Sequence, residues 1–154
     1  MISTLVWGTG NVGRAAIRAV AAHPELELTG VLVHNPAKVG RDAGALAGLD
    51  TELGIAATDD IEAALAAGPR AVVYAASGDI RPDDALADIE RALRTGAVVV
   101  TPALYALYDH RSAPAELRDR VTAAGPPGGG PPVGDGRAPP RGGCRINTHR
   151  GRPP

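Results

Sequence analysis

Gly8, Gly10 and Gly13 stand in G-x-G-x-x-G spacing within Trp7-Gly-Thr-Gly-Asn-Val-Gly-Arg14, a pattern able to grip a pyrophosphate with main chain alone. The first glycine allows a tight turn, the second lets a phosphate approach the backbone, and the third lets a helix pack closely on a strand. Thr9, Asn11 and Val12 complete the same loop and first helical turn, and are counted with the glycines as cofactor-binding positions. A helix starting there turns free N–H groups and its positive end toward the phosphates, so the hollow needs no cationic side chain of its own.

The flanking sequence supplies the elements such a hollow requires. Leu5, Val6 and Trp7 form an apolar run directly before the first glycine, as a buried strand would. Val12, Ala15, Ala16, Ala19 and Val20 recur at helical spacing after it, and His23-Pro24 ends that helix. A second apolar stretch over residues 26–33 lies within the βαβ length of a dinucleotide fold. About 20 positions past the glycines, where an acid would hold a ribose 2′-hydroxyl, the chain reads Val33, His34, Asn35. With no carboxylate to repel a 2′-phosphate, and with Lys38 and Arg41 close behind, NADP(H) fits at least as well as NAD(H). A tenfold preference needs only about 1.4 kcal/mol. The competing reading of Lys38 and Arg41 is a pair of solvated loop charges.

Downstream, residues 40–48 read as a glycine-punctuated loop in which Asp42 caps a short helical turn. Residues 55–57 suit a brief strand, and Asp59 or Asp60 an N-cap before the apolar side Ile61, Ala64, Leu65. Residues 71–76 are continuously apolar, as in a parallel strand covered on both faces. Pro82, Asp83 and Asp84 open a helix whose apolar face is Ala85, Leu86, Ile89, Ala92 and Leu93, and Gly96 ends it. Residues 97–100 form the next strand, closing at Thr101-Pro102, and Ser112 with Pro114 opens a last helix through Leu117, Arg118 and Val121. This alternation predicts an α/β, Rossmann-type doubly wound parallel sheet. Ligands in such sheets bind beyond the carboxyl ends of the strands. The loops at residues 8–13, 34–38, 75–79 and 101–103 therefore share one crevice, the first two holding the nucleotide and the latter two, through Ala76, Ser77 and Thr101, the nicotinamide end.

A chain of 154 residues suits one domain, placed at residues 1–124, with a tail over 125–154. A formal net charge of -1 gives no overall basic field for nucleic acid. The single Cys144 excludes an internal disulfide and a cysteine metal site, so no metal is expected and a reducing cytoplasm fits. No basic-then-apolar leader opens the chain, and no apolar run approaches the roughly 20 residues that span a bilayer. The expectation is a cytoplasmic protein without a membrane partner. Lys38 is the only lysine among sixteen basic residues and Phe is absent, a bias of GC-rich coding.

Together these motifs resemble the N-terminal domain of the dihydrodipicolinate reductase family. Beside the glycine loop, Val39-Gly-Arg-Asp-Ala-Gly-Ala-Leu-Ala-Gly48 is similar to that family's G-x-D-A-G-x-L-A-G stretch and is the more specific match. Val31-Leu-Val-His-Asn35, Tyr74-Ala-Ala-Ser-Gly-Asp79 and Arg81-Pro-Asp-Asp84 bring it nearer to a branch similar to 2,4-diaminopentanoate dehydrogenase, an amine dehydrogenase. The resemblance covers residues 1 to about 124. It implies hydride transfer between a nicotinamide and a carbon–nitrogen bond, with a small-molecule amine or imine as substrate of the intact family member. The paired histidines and lysine of the reductase have no counterpart here, and no residue is given a catalytic role. His110 reads as an exposed loop histidine, Tyr105 and Tyr108 as packing residues.

From residue 125 on, Gly, Pro and Arg dominate and no core can form. The abrupt loss of periodicity after a well-patterned helix is the expectation of GC-rich coding read out of frame, which makes the chain a truncated enzyme, inactive alone. The alternatives are a non-catalytic NAD(P)-sensing module and a flexible basic arm carrying Arg137, Arg141, Arg145, Arg150 and Arg152 that touches RNA. The arm has no aromatic residue for a base to stack on, which counts against nucleic acid. Homo-oligomerisation stays open.

Overall fold

The computed structural model describes residues 1–78, 80–109 and 112–125. The expected tail beyond Gly125, together with Asp79 and His110, lies outside the described residues. Four parallel strands form one sheet in the order β2-β1-β3-β4, from β1 (Ile2–Trp7), β2 (Leu26–Leu32), β3 (Ala71–Tyr74) and β4 (Val98–Val100). Between them run α1 (Asn11–Ala22), α2 (Ala43–Ala47), α3 (Ile61–Ala66) and α4 (Pro82–Arg94), and α5 (Ala115–Ala124) follows the last strand. Short 3₁₀ turns at Pro36–Lys38 and Tyr105–Leu107 sit at the carboxyl ends of β2 and β4. This is the doubly wound α/β sheet that the alternating pattern predicts.

Both faces of the sheet are covered, which explains why β3, β4 and the carboxyl-end stretches of β1 (Leu5–Trp7) and β2 (Val31, Leu32) are continuously apolar. On one face Val6, Val31 and Val33 pack with Ile17 and Val20 of α1 and with Ala43, Leu46 and Ala47 of α2. On the other, Leu5, Trp7, Val72, Tyr74 and Val99 pack with Leu86, Ile89 and Leu93 of α4 and Val121 of α5. The buried rings of Trp7 and Tyr74 meet edge to face at 5.3 Å, an arrangement worth about 0.5–1.5 kcal/mol beyond area burial.

The apolar face expected for α4 is present, but two acids beside it, Asp88 and Glu90, are also buried. Each has partners. Glu90 accepts from Arg120 Nε at 2.7 Å and from Arg94 at 3.2 Å, tying α5 to α4, and Asp88 accepts from the Tyr74 hydroxyl at 3.1 Å. No buried side-chain nitrogen or oxygen among the described residues lacks a hydrogen-bond partner.

Three local expectations need correction. Residues 55–57 form no full strand: the chain makes only single bridges there, Asp42 with Ala56 and Leu32 with Thr58, because it turns away after one pairing on each side. The last helix starts at Ala115 with Pro114 as its cap residue, while the Ser112 hydroxyl donates to the Asp109 carbonyl instead. Tyr105 and Tyr108 are not packing residues of the core. They are 65 % and 46 % exposed and stack on each other edge to face at 5.4 Å, with the Tyr108 hydroxyl donating to the Pro102 carbonyl.

Asp42 does more than cap a turn. Its Oδ1 accepts from the amides of Gly44 (2.7 Å), Ala45 (3.4 Å) and Leu53 (3.1 Å), and its Oδ2 from Gly54 (2.9 Å) and Ile55 (3.2 Å). One carboxylate thus starts α2 and pins the returning segment. The Leu53 amide first, and then those of Gly44, Ala45 and Gly54, hold its acid below the ordinary carboxylate range against the opposing effect of burial. The folded state therefore gives up this proton more readily than the unfolded chain, whose carboxyl titrates near pH 3.9. The resulting stabilisation is complete above that pH and drains away as pH falls through the folded value. Asp42→Asn is expected to lower the thermal midpoint at neutral pH, with the gap to the wild type narrowing in acid. Melting followed by circular dichroism across pH 2 to 7 checks this; a constant gap would contradict it.

Candidate active-site cleft

The carboxyl end of β1 runs straight into the glycine loop. Gly8 has φ +104°, and a Cβ there would press on the Ala75 and Ala76 backbone at 2.8–2.9 Å. Its amide donates to the Leu32 carbonyl at 2.8 Å and the Trp7 carbonyl accepts from Ala75, so the turn is clamped between the ends of β2 and β3. Gly13, buried in the first turn of α1, faces the Gly8 carbonyl so closely that a Cβ would overlap it. Gly10 differs: it is exposed, lines the cleft and has nothing within 4 Å of where a Cβ would be. Gly8 and Gly13 therefore have the turn and close-packing roles read from spacing, and the space beside Gly10 is a cradle that a side chain would fill.

Gly10 is also the cap residue of α1, and no side-chain cap or first-turn acid neutralises that helix start. Every other described α-helix has one or the other: Asp42 and Asp60 cap α2 and α3, Asp83 and Asp84 sit in the first turn of α4, and Glu116 in that of α5. The leading amides of a helix have no intrahelical partner. Here they open onto a cleft of about 340 Å³, lined by the glycine loop, the end of β2, the loop after β3 and the cleft-facing side of α4. An uncapped, glycine-built helix start beside open space fits a bound pyrophosphate.

Of the residues singled out from sequence, the cleft brings together Gly8, Thr9, Gly10, His34, Lys38, Ala76 and Ser77. Asn11 and Val12 are exposed at the start of α1, Gly13 is buried beneath the turn, and Thr101 lies outside the cleft lining, its hydroxyl accepting from the Ala103 amide at 2.9 Å. Gly78 and the Ala103 backbone pack together, which joins the loop after β3 to the loop after β4. Arg41 lies outside the lining. Lys38 is not a free loop charge: its Nζ donates to the Thr9 carbonyl at 3.2 Å and to Thr9 Oγ1 at 3.0 Å, setting the ammonium on the glycine loop. Asn35 makes this reach feasible by accepting from the Ala37 amide and so starting the 3₁₀ turn that carries Lys38 back.

Sequence reasoning missed the α4 wall. Tyr74, Ile80, Arg81, Asp84, Ala85 and Asp88 all line the cleft. The available signal was the Arg81-Pro-Asp-Asp84 motif, whose acids read only as charges favouring a helix start. Burial, and then the Asp88 charge, pushes the Tyr74 hydroxyl well above the ordinary phenol value, so it remains a donor. Burial likewise pushes Asp88 above the usual carboxylate value, opposed by the Tyr74 hydrogen bond, His34 and Arg91. Among the described residues no group of three or more His, Cys, Asp or Glu side chains is placed to hold a metal ion, and no helix is long and apolar enough to cross a membrane.

Comparison with known proteins agrees with this geometry. The family described as dihydrodipicolinate reductase, N-terminus, matches residues 2–100. An amine dehydrogenase of Streptomyces virginiae is 75 % identical over 130 residues, covering 84 % of this chain and 36 % of that protein. A 4-hydroxy-tetrahydrodipicolinate reductase of Paraburkholderia phymatum is 40 % identical over 93 residues, covering 60 % of this chain and 32 % of its own length. Among solved structures, the amine dehydrogenase of Mycobacterium smegmatis superposes with a TM-score of 0.65 at 27 % identity, over 80 % of this chain and 37 % of that one. The chain thus spans about a third of the length of the curated relatives it matches. Sequence match, sheet order and glycine-built cleft coincide over the same residues, and the chain belongs to the dihydrodipicolinate reductase family as an NAD(P)-binding, Rossmann-type N-terminal domain.

Proposed function

We propose that this chain is the cofactor-holding part of an oxidoreductase acting on a carbon–nitrogen bond, as the names of its amine dehydrogenase and reductase relatives suggest. The observation that carries the reading is the uncapped start of α1, with open space at Gly10, inside a cleft whose walls come from three strand ends and α4. When bound, a nicotinamide supplies the hydride chemistry, and the protein contributes orientation and electrostatics. The α1 amides would take the pyrophosphate. Lys38, already fixed on Thr9, adds a positive charge at the same loop, and His34 faces the adenosine side beyond β2. Ala76 and Ser77, beyond β3, border the opposite end, where the reacting ring would be held against the loop packed on Ala103. No described residue is assigned to substrate. That role belongs, in this proposal, to the remaining length of the whole protein, and the domain boundary near residue 124 is part of it.

Two glycine substitutions separate binding from folding. Gly10→Val fills the cradle but meets no protein atom, so it is expected to abolish binding of both NADP+ and NAD+ by calorimetry while shifting stability by less than about 1 kcal/mol. Gly13→Ala forces its methyl into the Gly8 carbonyl and is expected to destabilise the fold by about 1–3 kcal/mol or more in urea denaturation. Wild-type protein that is folded yet binds neither dinucleotide would refute the assignment.

A further inference from the structure

Among the described residues Asp88 is the one buried carboxylate of the cleft wall, 8 % exposed on α4, and it draws three elements together. Tyr74 at the end of β3 donates to its Oδ2, His34 from beyond β2 brings Nε2 to 4.0 Å of the same oxygen, and Arg91 stands 3.8 Å from its Oδ1. His34 occupies the place where doubly wound folds read the 2′ position of the adenosine ribose, usually with an acid. This chain puts an imidazole there and moves the acid one layer back.

We infer that Asp88, acting through His34, selects a 2′-phosphorylated dinucleotide: it orients the imidazole on the cleft, where the protonated ring would meet the 2′-phosphate, so the domain prefers NADP(H) to NAD(H) and the preference falls as pH rises. The inference rests on the reading that the cleft holds a nicotinamide dinucleotide. Asp88 is then a positioning residue, and His34 the one that meets the phosphate.

The surroundings leave this role to His34. Of the other charged groups that line the cleft among the described residues, Arg81 and Asp84, at the start of α4, pair with each other at 3.4 Å, and Lys38 is held over the glycine loop by Thr9, on the pyrophosphate side, while Tyr74 stays a neutral donor. A buried carboxylate is costly unless it is hydrogen-bonded and faced by a positive charge. Arg91 stands by one oxygen of Asp88, and on the cleft side the ring of His34 faces the other. The imidazole is exposed enough, at 44 % of its side chain, to touch a ligand while its Nε2 faces Asp88.

The direction of the pH effect identifies the group responsible. A 2′-phosphate gains its second charge near pH 6, so with fixed cations alone its attraction would grow as pH rises. An imidazole loses its charge over the same range, giving the opposite slope. Calorimetric titration of NADP+ and NAD+ into the full chain at about pH 6 and about pH 8.5 is expected to show the NADP+ preference falling about tenfold. In His34→Gln that fall should disappear or reverse. In Asp88→Asn, which keeps the Tyr74 hydrogen bond but removes the charge facing the ring, the preference at the lower pH should be smaller. Proton NMR gives a second readout: NADP+, but not NAD+, should keep the His34 ring protonated to higher pH. Both dinucleotides binding with a ratio that ignores pH, or that His34→Gln leaves unchanged, would overturn the inference alone. Neither dinucleotide binding would overturn the cofactor reading beneath it.

Discussion

The contact between the Gly8 carbonyl and Gly13 is the constraint from which the rest of the architecture follows. A strand and a helix can lie this close only where neither carries a side chain, and that closeness brings the start of α1 directly over the carboxyl end of the central strand. β1 lies between β2 and β3, so the helix start is flanked by the ends of two neighbouring strands and one cleft collects loops from three βα units. Any side chain at Gly13 would push α1 outward, and its amides would no longer face the space lined by His34, Lys38 and Ser77.

Electrostatics then distinguishes this helix start from the others. Acidic side chains compensate the positive ends of α2, α3, α4 and α5. The partial charge of about half a proton at the start of α1 is left for a ligand. Lys38 adds to it without closing the loop, since its hydrogen bonds go to oxygen atoms of Thr9 and leave the amides free. At the start of α1, main-chain donors, the Lys38 ammonium and a first turn without acids together favour an anion, while the acids of the cleft, Asp84 and Asp88, stand on the α4 wall.

How much of this was legible in the sequence depended on the range of the interactions involved. The β1–loop–α1 unit was fully legible, because its glycine spacing and its two hydrophobic periods are local. Asp42 was legible as a cap, since capping acts over three residues, but its hold on Leu53, Gly54 and Ile55 depends on a return of the chain that no local pattern announces. Lys38 was read as sharing the crevice of the glycine loop, which the cleft lining bears out, while its contact with Thr9, 29 positions away, came only with the fold. The α4 wall was missed for a related reason. A helical pattern picks out apolar positions, so Asp88 was not singled out; the Tyr74 hydroxyl that makes its burial tolerable belongs to a neighbouring strand.

The tether between Lys38 and Thr9 also bears on the entropy of recognition. Immobilising a lysine side chain costs roughly 1.5–2 kcal/mol of rotamer freedom. Here the fold has already met that cost before any ligand arrives, since the ammonium is fixed at both Thr9 oxygen atoms. For a phosphate bound at this loop, as proposed, Lys38 would be a pre-organised cation, and more of the Coulombic attraction would survive as affinity than with a freely rotating surface lysine.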